Sequence, residues 1–326
     1  MESGQSERLP FDPLSDVLAL LKPQSYAVRG LDVGGAWSIE FPAGEGIKCY
    51  AIHRGSCWLL MEGLAEPVRI SAGDCLLLPR GRAFRLCSHT DVPALAAEPL
   101  FSSVSPGKFV TLNGGGDCSG LGGYFTFAGA HSSILLDQLP LIVHFNSAED
   151  RTNLRWYLER LMHELGDPQP GGALIVDHLA QTLLIHALRL HLVNDNDGGG
   201  IGWLFALRDR KIGAAISAMH QHPGRKWTLV SLAAIAGMSR SSFAARFTAL
   251  VGEPAIEYLT RWRMHLAADR MHNLGTSVSV LADTLGYESE SAFGSAFKRV
   301  MGQSPRYFVD ELANSKKAST AAAQFS

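Results

Sequence analysis

A short motif occurs twice in the last third of the chain, and this repeat constrains the fold more than any other feature. The first copy runs over Leu232–Gly252 and the second over Leu281–Gly302. Each copy opens with Leu-Ala, reaches a glycine after one apolar helical stretch, places two phenylalanines four residues apart and ends on another glycine. The repeat therefore predicts two copies of one helical unit within residues 227–308.

In each copy two short helical stretches flank a turn glycine. Gly237 and Gly286 occupy the turns, where glycine tolerates backbone angles that other residues avoid. Thr228, Ser239 and Ser277 each stand directly before an apolar helical stretch and are predicted N-caps. Two helices joined by a tight turn predict a helix-turn-helix, whose second helix enters the major groove of DNA.

The second helix of each copy has a buried stripe, which its two phenylalanines begin. Residues on the opposite side of these helices are predicted to face DNA. In the first copy they are Arg240, Ser241, Ser242, Ala245 and Arg246. In the second copy they are Ser289, Glu290, Ser291, Ser295, Lys298 and Arg299.

A long helix is predicted between the two copies, from Pro254 to Asn273. About 20 residues at 1.5 Å each give a length of about 30 Å. Adjacent major-groove segments on one face of B-DNA lie about 34 Å apart. A rigid helix of this length would hold both second helices against one duplex.

Charge supports a division of the chain into two parts. Residues 205–312 carry 13 Lys and Arg against 9 Asp and Glu, whereas residues 1–204 carry 14 against 22. A basic C-terminal part joined to an acidic N-terminal part is typical of a nucleic-acid-binding module attached to a domain that does not contact nucleic acid.

The N-terminal part has a different periodicity. Residues 12–22 predict a short amphipathic helix with Asp12 as its N-cap. Over residues 37–88 apolar and polar residues alternate in short segments bounded by glycine and proline, which predicts an antiparallel barrel or sandwich. The predicted lining of its interior, where an effector would bind, is Trp37, His53 and Trp58.

Within this part, GDCLLLPRGRAFRL (residues 73–86) resembles the second motif of the cupin superfamily. The resemblance implies a barrel whose metal would bind two His and a Glu of the first motif and one His after the Pro-x-Gly. Phe84 occupies the position of that last His, and the preceding strands offer His53 alone. Since a metal needs three or four converging ligands, we predict neither metal nor cofactor. A cupin enzyme fused to a DNA-binding domain is the remote alternative.

Helices follow the predicted strands, over Ser133–Leu139, Thr152–Leu165 and Leu174–Val193. The last two carry apolar stripes that would pack either within one chain or on a second copy, which predicts a homodimer. The polar, glycine-rich segment NDNDGGGIG is a linker by composition.

Residues 208–308 resemble the AraC/XylS family of bacterial transcription regulators, through LAAIAGMSRSSFAARF, YLTRWRMHLAADRM and ADTLGYESESAFGSAFKRVMGQSPRYF. The N-terminal part resembles the cupin-like sensor domain of one branch of that family, through GDCLLLPRG and the glycines at 114–116. The resemblance implies a seven-helix domain that binds promoter DNA, and a sensor domain that binds a small-molecule effector and dimerises. RNA polymerase would be a further partner of an activator.

The chain departs from many members of that family at two positions. An arginine commonly stands two residues before the second phenylalanine of each recognition helix, but here these positions are Ala245 and Ser295. Because arginine is the residue that most often contacts guanine, its absence shifts the predicted DNA contacts to Arg240, Arg246 and Lys298.

The predicted fold is multidomain α+β: a cupin-like antiparallel β-barrel with helices, followed by an all-α domain with two helix-turn-helix motifs. The predicted segments are a sensor barrel at 1–145, a helical dimerisation or packing segment at 146–194, a linker at 195–204, the DNA-binding domain at 205–312 and a flexible tail at 313–326.

The remaining sequence features bear on location and on other functions. No basic region followed by an apolar run opens the chain, and no stretch of 18 uncharged apolar residues occurs, so we expect a cytoplasmic protein without a membrane partner. No Ser-His-Asp, Cys-His or carboxylate pair stands out, which predicts that the protein is not an enzyme. Five cysteines without CxxC spacing leave a redox-responsive transcription factor that uses Cys87 and Cys118 as an alternative.

Overall fold

A computed structural model shows two compact units. Met1–Leu20 and Gly199–Ser326 form one unit, and Leu21–Gly198 forms the other. The structure describes residues 12–21, 24–44, 46–102, 104, 108–126, 136, 139–167, 169–194 and 201–311. Most of the predicted helix Ser133–Leu139, most of the predicted linker and the whole tail lie outside these ranges.

The N-terminal unit is built from two β-sheets. The strands are β1 (Gln24–Val33), β2 (Ser38–Phe41), β3 (Ile47–Arg54), β4 (Ser56–Met61), β5 (Val68–Ser71), β6 (Cys75–Leu78), β7 (Phe84–Cys87), β8 (Leu95–Ala96), β9 (Phe109–Leu112), β10 (Cys118–Thr126) and β11 (Val143–Phe145). One sheet has the order β11-β6-β3-β10-β1-β9, and the other has the order β5-β4-β7-β2-β8.

This arrangement corrects the predicted barrel to a sandwich. Each sheet ends in edge strands, so among the described strands the hydrogen bonding does not close into a ring. Two edge pairs, β1 with β9 and β2 with β8, are also parallel rather than antiparallel. Alternation along a strand is the same in a barrel and a sandwich, because closure depends on which distant strands pair.

The core of the sandwich follows from the alternation. In β4 the inward Cys57, Leu59 and Met61 are buried, whereas the side chains between them are partly exposed. All four residues of β6 are buried, as expected for a strand that is covered on both faces. A single core cluster joins residues of both sheets.

Helices that accompany the sheets include α2 (Ala97–Ser102), α3 (Ala148–Gly166) and α4 (Gly172–Asn194). Ser147 and Asp150 form a capping box at the start of α3, and α3 and α4 pack on each other and on the six-stranded sheet. The phenol of Tyr157 and Nε2 of His186 lie 2.7 Å apart and join the two helices. Over Gly172–Leu192, α4 is long and apolar enough to cross a membrane, a property shared by core helices of soluble proteins.

The C-terminal unit is helical. Its helices include α1 (Pro13–Leu21), α5 (Trp203–Ala206), α6 (Arg210–Gln221), α7 (Leu229–Ile235), α8 (Arg240–Val251), α9 (Ala255–Leu274), α10 (Val278–Thr284) and α11 (Glu290–Met301). Thr228, Ser239 and Ser277 cap α7, α8 and α10 as predicted. Ser289, which the prediction placed inside the last recognition helix, is instead its N-cap.

Helix α1 begins after Asp12, which accepts a hydrogen bond from the amide of Ser15 at 3.0 Å, so the predicted N-cap is confirmed. No sequence pattern predicts that α1 packs against the other helices of the C-terminal unit. Oδ2 of Asp16 lies 3.3 Å from Nδ1 of His220, whose Nε2 lies 2.7 Å from the phenol oxygen of Tyr258. The imidazole also stacks on Trp262, with ring centroids 3.9 Å apart. One end of the chain is thus part of the same unit as the other.

Candidate functional site

The two repeats fold as two helix-turn-helix units. The first consists of α7 and α8, with Gly237 at a φ of 59° in the turn, and the second of α10 and α11, with Gly286 at 78°. The paired phenylalanines of α8 and α11 are fully buried. Both recognition helices end on a left-handed glycine, Gly252 or Gly302. The connecting helix α9 has 20 residues, hence a length of about 30 Å.

All eleven residues predicted to face DNA are at least partly exposed. Seven of them are uncharged or acidic, so the cationic contacts available to phosphates or bases come from two arginines on α8 and from Lys298 and Arg299 on α11.

These four cations differ in their surroundings. Arg246 donates to the carboxylate of Asp209 from Nε at 2.7 Å and also from a terminal nitrogen, and Arg299 lies 3.1 Å from Glu257. For Arg240 and Lys298 the described part of the chain offers no carboxylate partner. The guanidinium of Arg240 and the ammonium of Lys298 can therefore contact DNA without first losing an ion pair.

Asp209 explains why Arg246 is held. Its carboxylate caps α6 by accepting from the amides of Lys211 and Ile212 at 2.9 and 3.0 Å. Although burial alone would raise the pKa of Asp209, the Ile212 amide and the Arg246 guanidinium lower it overall. Arg246 thus ties α8 to the start of α6, which gives this predicted DNA contact a structural role as well.

A close backbone contact fixes the second turn against the first half of the domain. A Cβ on Gly286 would lie 2.2 Å from the carbonyl oxygen of Gly224. Beside it, Arg263 of α9 donates to the carbonyl oxygens of Pro223 and Arg225 at 2.6 and 2.9 Å. Because α9 carries Arg263, one contact network sets how the two helix-turn-helix units are oriented.

The N-terminal unit contains a cavity of about 240 Å³ between its two sheets. Its wall is mostly apolar and aromatic, and it includes Trp37, Phe41, Tyr50 and Phe101. A wider groove elsewhere on the unit is open and lined by charged side chains from Glu40, Glu62, Glu66, Arg82 and Arg85. The mostly apolar cavity between the sheets has the character of a small-molecule site.

Only one of the three predicted effector residues lines this cavity. Trp37 does so, but His53 is exposed and belongs to the surface facing α3, and Trp58 lies under the guanidinium of Arg69. The expected positions of His53 and Trp58 are therefore corrected. Strand β4 turns Cys57 inward, so its neighbour Trp58 points outward.

Arg29, the cationic residue of the cavity wall, was not among the predicted effector residues. It belongs to β1, a strand that was not predicted, and Leu31 two residues later lines the same cavity. Arg29 and Leu31 are two residues apart and therefore face the same side of a strand, and this spacing was the signal in the sequence that could have predicted β1. The guanidinium of Arg29 is half-buried, and its Nε donates to the carbonyl of Val104 at 3.4 Å.

The position that would carry the last cupin ligand is part of an aromatic cluster. Phe84 stacks on Phe41 with ring centroids 4.7 Å apart and meets Tyr50 edge to face. No group of three or more His, Cys, Asp or Glu within the ranges that the structure covers could hold a metal ion.

The five cysteines are buried and free, and their neighbours differ from the predicted pair. Cys57 and Cys118 line the same cavity, whereas the thiol of Cys87 donates to the carbonyl of Trp58 at 3.8 Å. Interaction with the thiol of Cys57 lowers the pKa of Cys118. The sulfur atoms of Cys49 and Cys75 lie 3.9 Å apart.

Comparisons with known proteins agree with this architecture. A family model described as Cupin matches residues 12–193, and one described as Helix-turn-helix domain matches residues 232–310. A protein of Streptomyces antibioticus named as an AraC-like transcription regulator is 39% identical over 90% of this chain and 97% of its own. The RCS-specific transcriptional activator RclR of Escherichia coli is 30% identical over 92% of this chain and 98% of its own.

Among solved structures, ToxT of Vibrio cholerae matches 87% of this chain and 97% of its own, at 14% identity and a TM-score of 0.34. The full-length match to AraC-like regulators rests on sequence, and it spans the sandwich and both helix-turn-helix units. The chain belongs to the AraC family of transcription regulators, with a cupin-type N-terminal domain and a C-terminal helix-turn-helix domain that binds DNA.

Proposed function

We propose that the protein binds promoter DNA with α8 and α11 in adjacent major-groove segments, and that it has no catalytic activity of its own. The observation that carries this proposal is the pair of exposed recognition helices joined by α9, whose length of about 30 Å approaches one turn of B-DNA. Arg240 supplies a base contact and Lys298 a phosphate contact, since both are exposed cations without an ion pair in the structure described.

The N-terminal unit is proposed to sense a small-molecule effector. The cavity between the sheets supports this, because it is mostly apolar and its wall includes side chains of both sheets. Of the predicted sensor segment 1–145, the part before Leu21 belongs to the C-terminal unit, so residues 21–145 would form the sensor, 195–204 the linker and 205–312 the DNA-binding domain. We place the protein in the cytoplasm, where a regulator meets DNA, and RNA polymerase would be its partner if it activates transcription.

We further propose a homodimer formed through α3 and α4 within residues 146–194. Leu183, Leu184 and Leu188 pack inside the unit, so part of the apolar stripe is already covered. Trp156 and Leu174, however, are 60% and 65% exposed. Large exposed apolar side chains on neighbouring helices are typical of an interface.

DNA binding by the full chain tests the main proposal. Fluorescence anisotropy would compare a duplex from the region upstream of its own gene with a scrambled duplex of equal length, at several salt concentrations. We expect tighter binding to the upstream duplex and an affinity that falls as salt rises, because phosphate contacts release counterions. Equal affinity for both duplexes would refute sequence-specific regulation.

We also propose a redox response as a second candidate function, with Cys57 rather than Cys87 as the partner of Cys118, because Cys57 and Cys118 line the same cavity. Oxidation of the Cys57 and Cys118 thiols by hydrogen peroxide would form one disulfide and two waters, and the bond would join the two sheets, since Cys57 is in β4 and Cys118 in β10. Cys57→Ser and Cys118→Ser would then abolish a peroxide response of DNA affinity that Cys87→Ser retains. A response that survives in Cys118→Ser would remove this candidate.

A further inference from the structure

The wall of the sandwich cavity has one cationic group inside an apolar surround. Arg29 and Leu31 of β1 line it together with aromatic side chains from β2, β3 and α2. No carboxylate pairs with Arg29 in the described ranges, where its hydrogen bond goes to a backbone carbonyl. A half-buried guanidinium with spare donors favours an anionic partner.

Two further side chains of the wall can donate hydrogen bonds. The indole of Trp37 and the phenol of Tyr50 belong to the wall, and each carries one hydrogen-bond donor. Burial raises the pKa of Tyr50, so its hydroxyl stays protonated. The acidic member of the wall, Glu98, is exposed at the start of α2, where solvent screens its charge.

We propose that this cavity binds a small carboxylate with an apolar, aromatic-sized body, whose carboxylate pairs with Arg29. The inference rests on the proposed effector function and names the ligand class of that site. Guanidinium and carboxylate form charge-assisted pairs, and the aromatic walls take up the apolar body. The volume of about 240 Å³ lies just below the range of drug-sized sites, so the ligand is small.

Three probes of one shape and different charge test the ligand class: 4-tert-butylbenzoate, 4-tert-butylbenzamide and 4-tert-butylbenzamidine. Isothermal titration of the full chain should show the carboxylate binding about tenfold or more tightly than the neutral amide, because the amide has no negative charge to pair with the guanidinium. Arg29→Gln should remove this preference and leave amide binding unchanged. Arg69→Gln, at an arginine outside the cavity, is the matched control and should behave as wild type.

Cavity occupancy is tested separately with Ala97→Phe, which fills space beside Phe101 and should abolish binding of the carboxylate. Circular dichroism confirms that each variant is folded. Failure of the carboxylate to bind, equal binding of carboxylate and amide, or insensitivity to Arg29→Gln would each overturn the proposal. The tightest binding by the amidinium would overturn it too and assign the polar contact to Glu98 instead. If the amide binds as tightly as the carboxylate and changes DNA affinity, the effector function stands although the anionic class fails.

Discussion

Individual cations on the recognition helices are expected to contribute in different ways. Arg240→Ala should relax sequence preference by about 1–3 kcal/mol if its guanidinium contacts a base. Lys298→Ala should weaken binding to all duplexes alike and lower the salt slope by about one, as loss of one phosphate contact does. Competition anisotropy with the upstream duplex and single-base variants separates the two. Equal losses on specific and scrambled DNA for Arg240→Ala would contradict its role as a base contact.

Arg246 is expected to behave differently from Arg240, because it is bound to Asp209. The pair is partly exposed, at 54% and 12% for the two side chains, so its loss should destabilise the C-terminal unit by no more than about 1 kcal/mol. Arg246→Ala should therefore increase amide hydrogen exchange in α6. Ser241→Ala, on the exposed side of α8, is the control and should leave that exchange unchanged. Unchanged exchange in α6 would show that the ion pair contributes nothing to the fold.

Buried His220 makes the C-terminal unit sensitive to acid. Burial lowers the pKa of His220, against the opposite effect of Asp16. Below a pH of about 6.5, His220 therefore binds a proton more readily in the unfolded state than in the folded state. The free energy of unfolding consequently falls as the pH drops. Hydrogen exchange of the peptide Arg210–Gln221 at pH 7 and 5.5, corrected for intrinsic rates, measures this. His220→Phe should flatten the pH dependence, whereas exposed His222→Gln should leave it as in wild type.

At the scale of elements, the two turn glycines differ although their places in the repeat match. A Cβ on Gly237 would have no atom of the described residues within 4 Å, so Gly237→Ala loses only the left-handed preference, about 1 kcal/mol. Gly286→Ala adds a clash at 2.2 Å with the carbonyl oxygen of Gly224 and should cost more than about 2 kcal/mol. Urea unfolding of the C-terminal unit compares them. Equal midpoints for the two variants would contradict the close contact.

Local signals were sufficient for the elements of the C-terminal unit. The caps at Thr228, Ser239 and Ser277, and the turn at Gly237, depend on residues three or four apart, so the sequence displays them directly. The contact of Gly286 with Gly224 joins residues that are far apart in the chain, so no local sequence pattern predicts it.

The sandwich was harder to predict for the same physical reason. Strand alternation indicated most strands but not their partners, and the choice between barrel and sandwich depends on those partners. Without pairing, the inward face of each strand was undetermined, which is why Trp58 was expected inside. Arg29 was missed because its strand, β1, was not predicted.

At the scale of the whole molecule, each unit holds one part of the proposed function. The cavity is lined only by residues of the N-terminal unit, and both helix-turn-helix units belong to the C-terminal one. One chain therefore carries two recognition helices and is equipped to occupy one DNA site. A dimer would occupy two such sites, and its affinity for a doubled operator would then exceed that for a single site.

The exposed apolar residues of α3 and α4 are expected to form the interface of a homodimer. Burying a large apolar side chain contributes about 1.5–3 kcal/mol, so Trp156→Ala or Leu174→Ser should weaken a dimer by about tenfold or more. Leu95→Ser changes a 54% exposed leucine in β8, away from those helices, and should leave association unchanged. Sedimentation velocity over a range of concentrations measures all three. A monomeric wild type, or Trp156→Ala and Leu174→Ser variants that dimerise as strongly as the wild type, would exclude this face as the interface. In the case of a monomer, each molecule would bind a single DNA site.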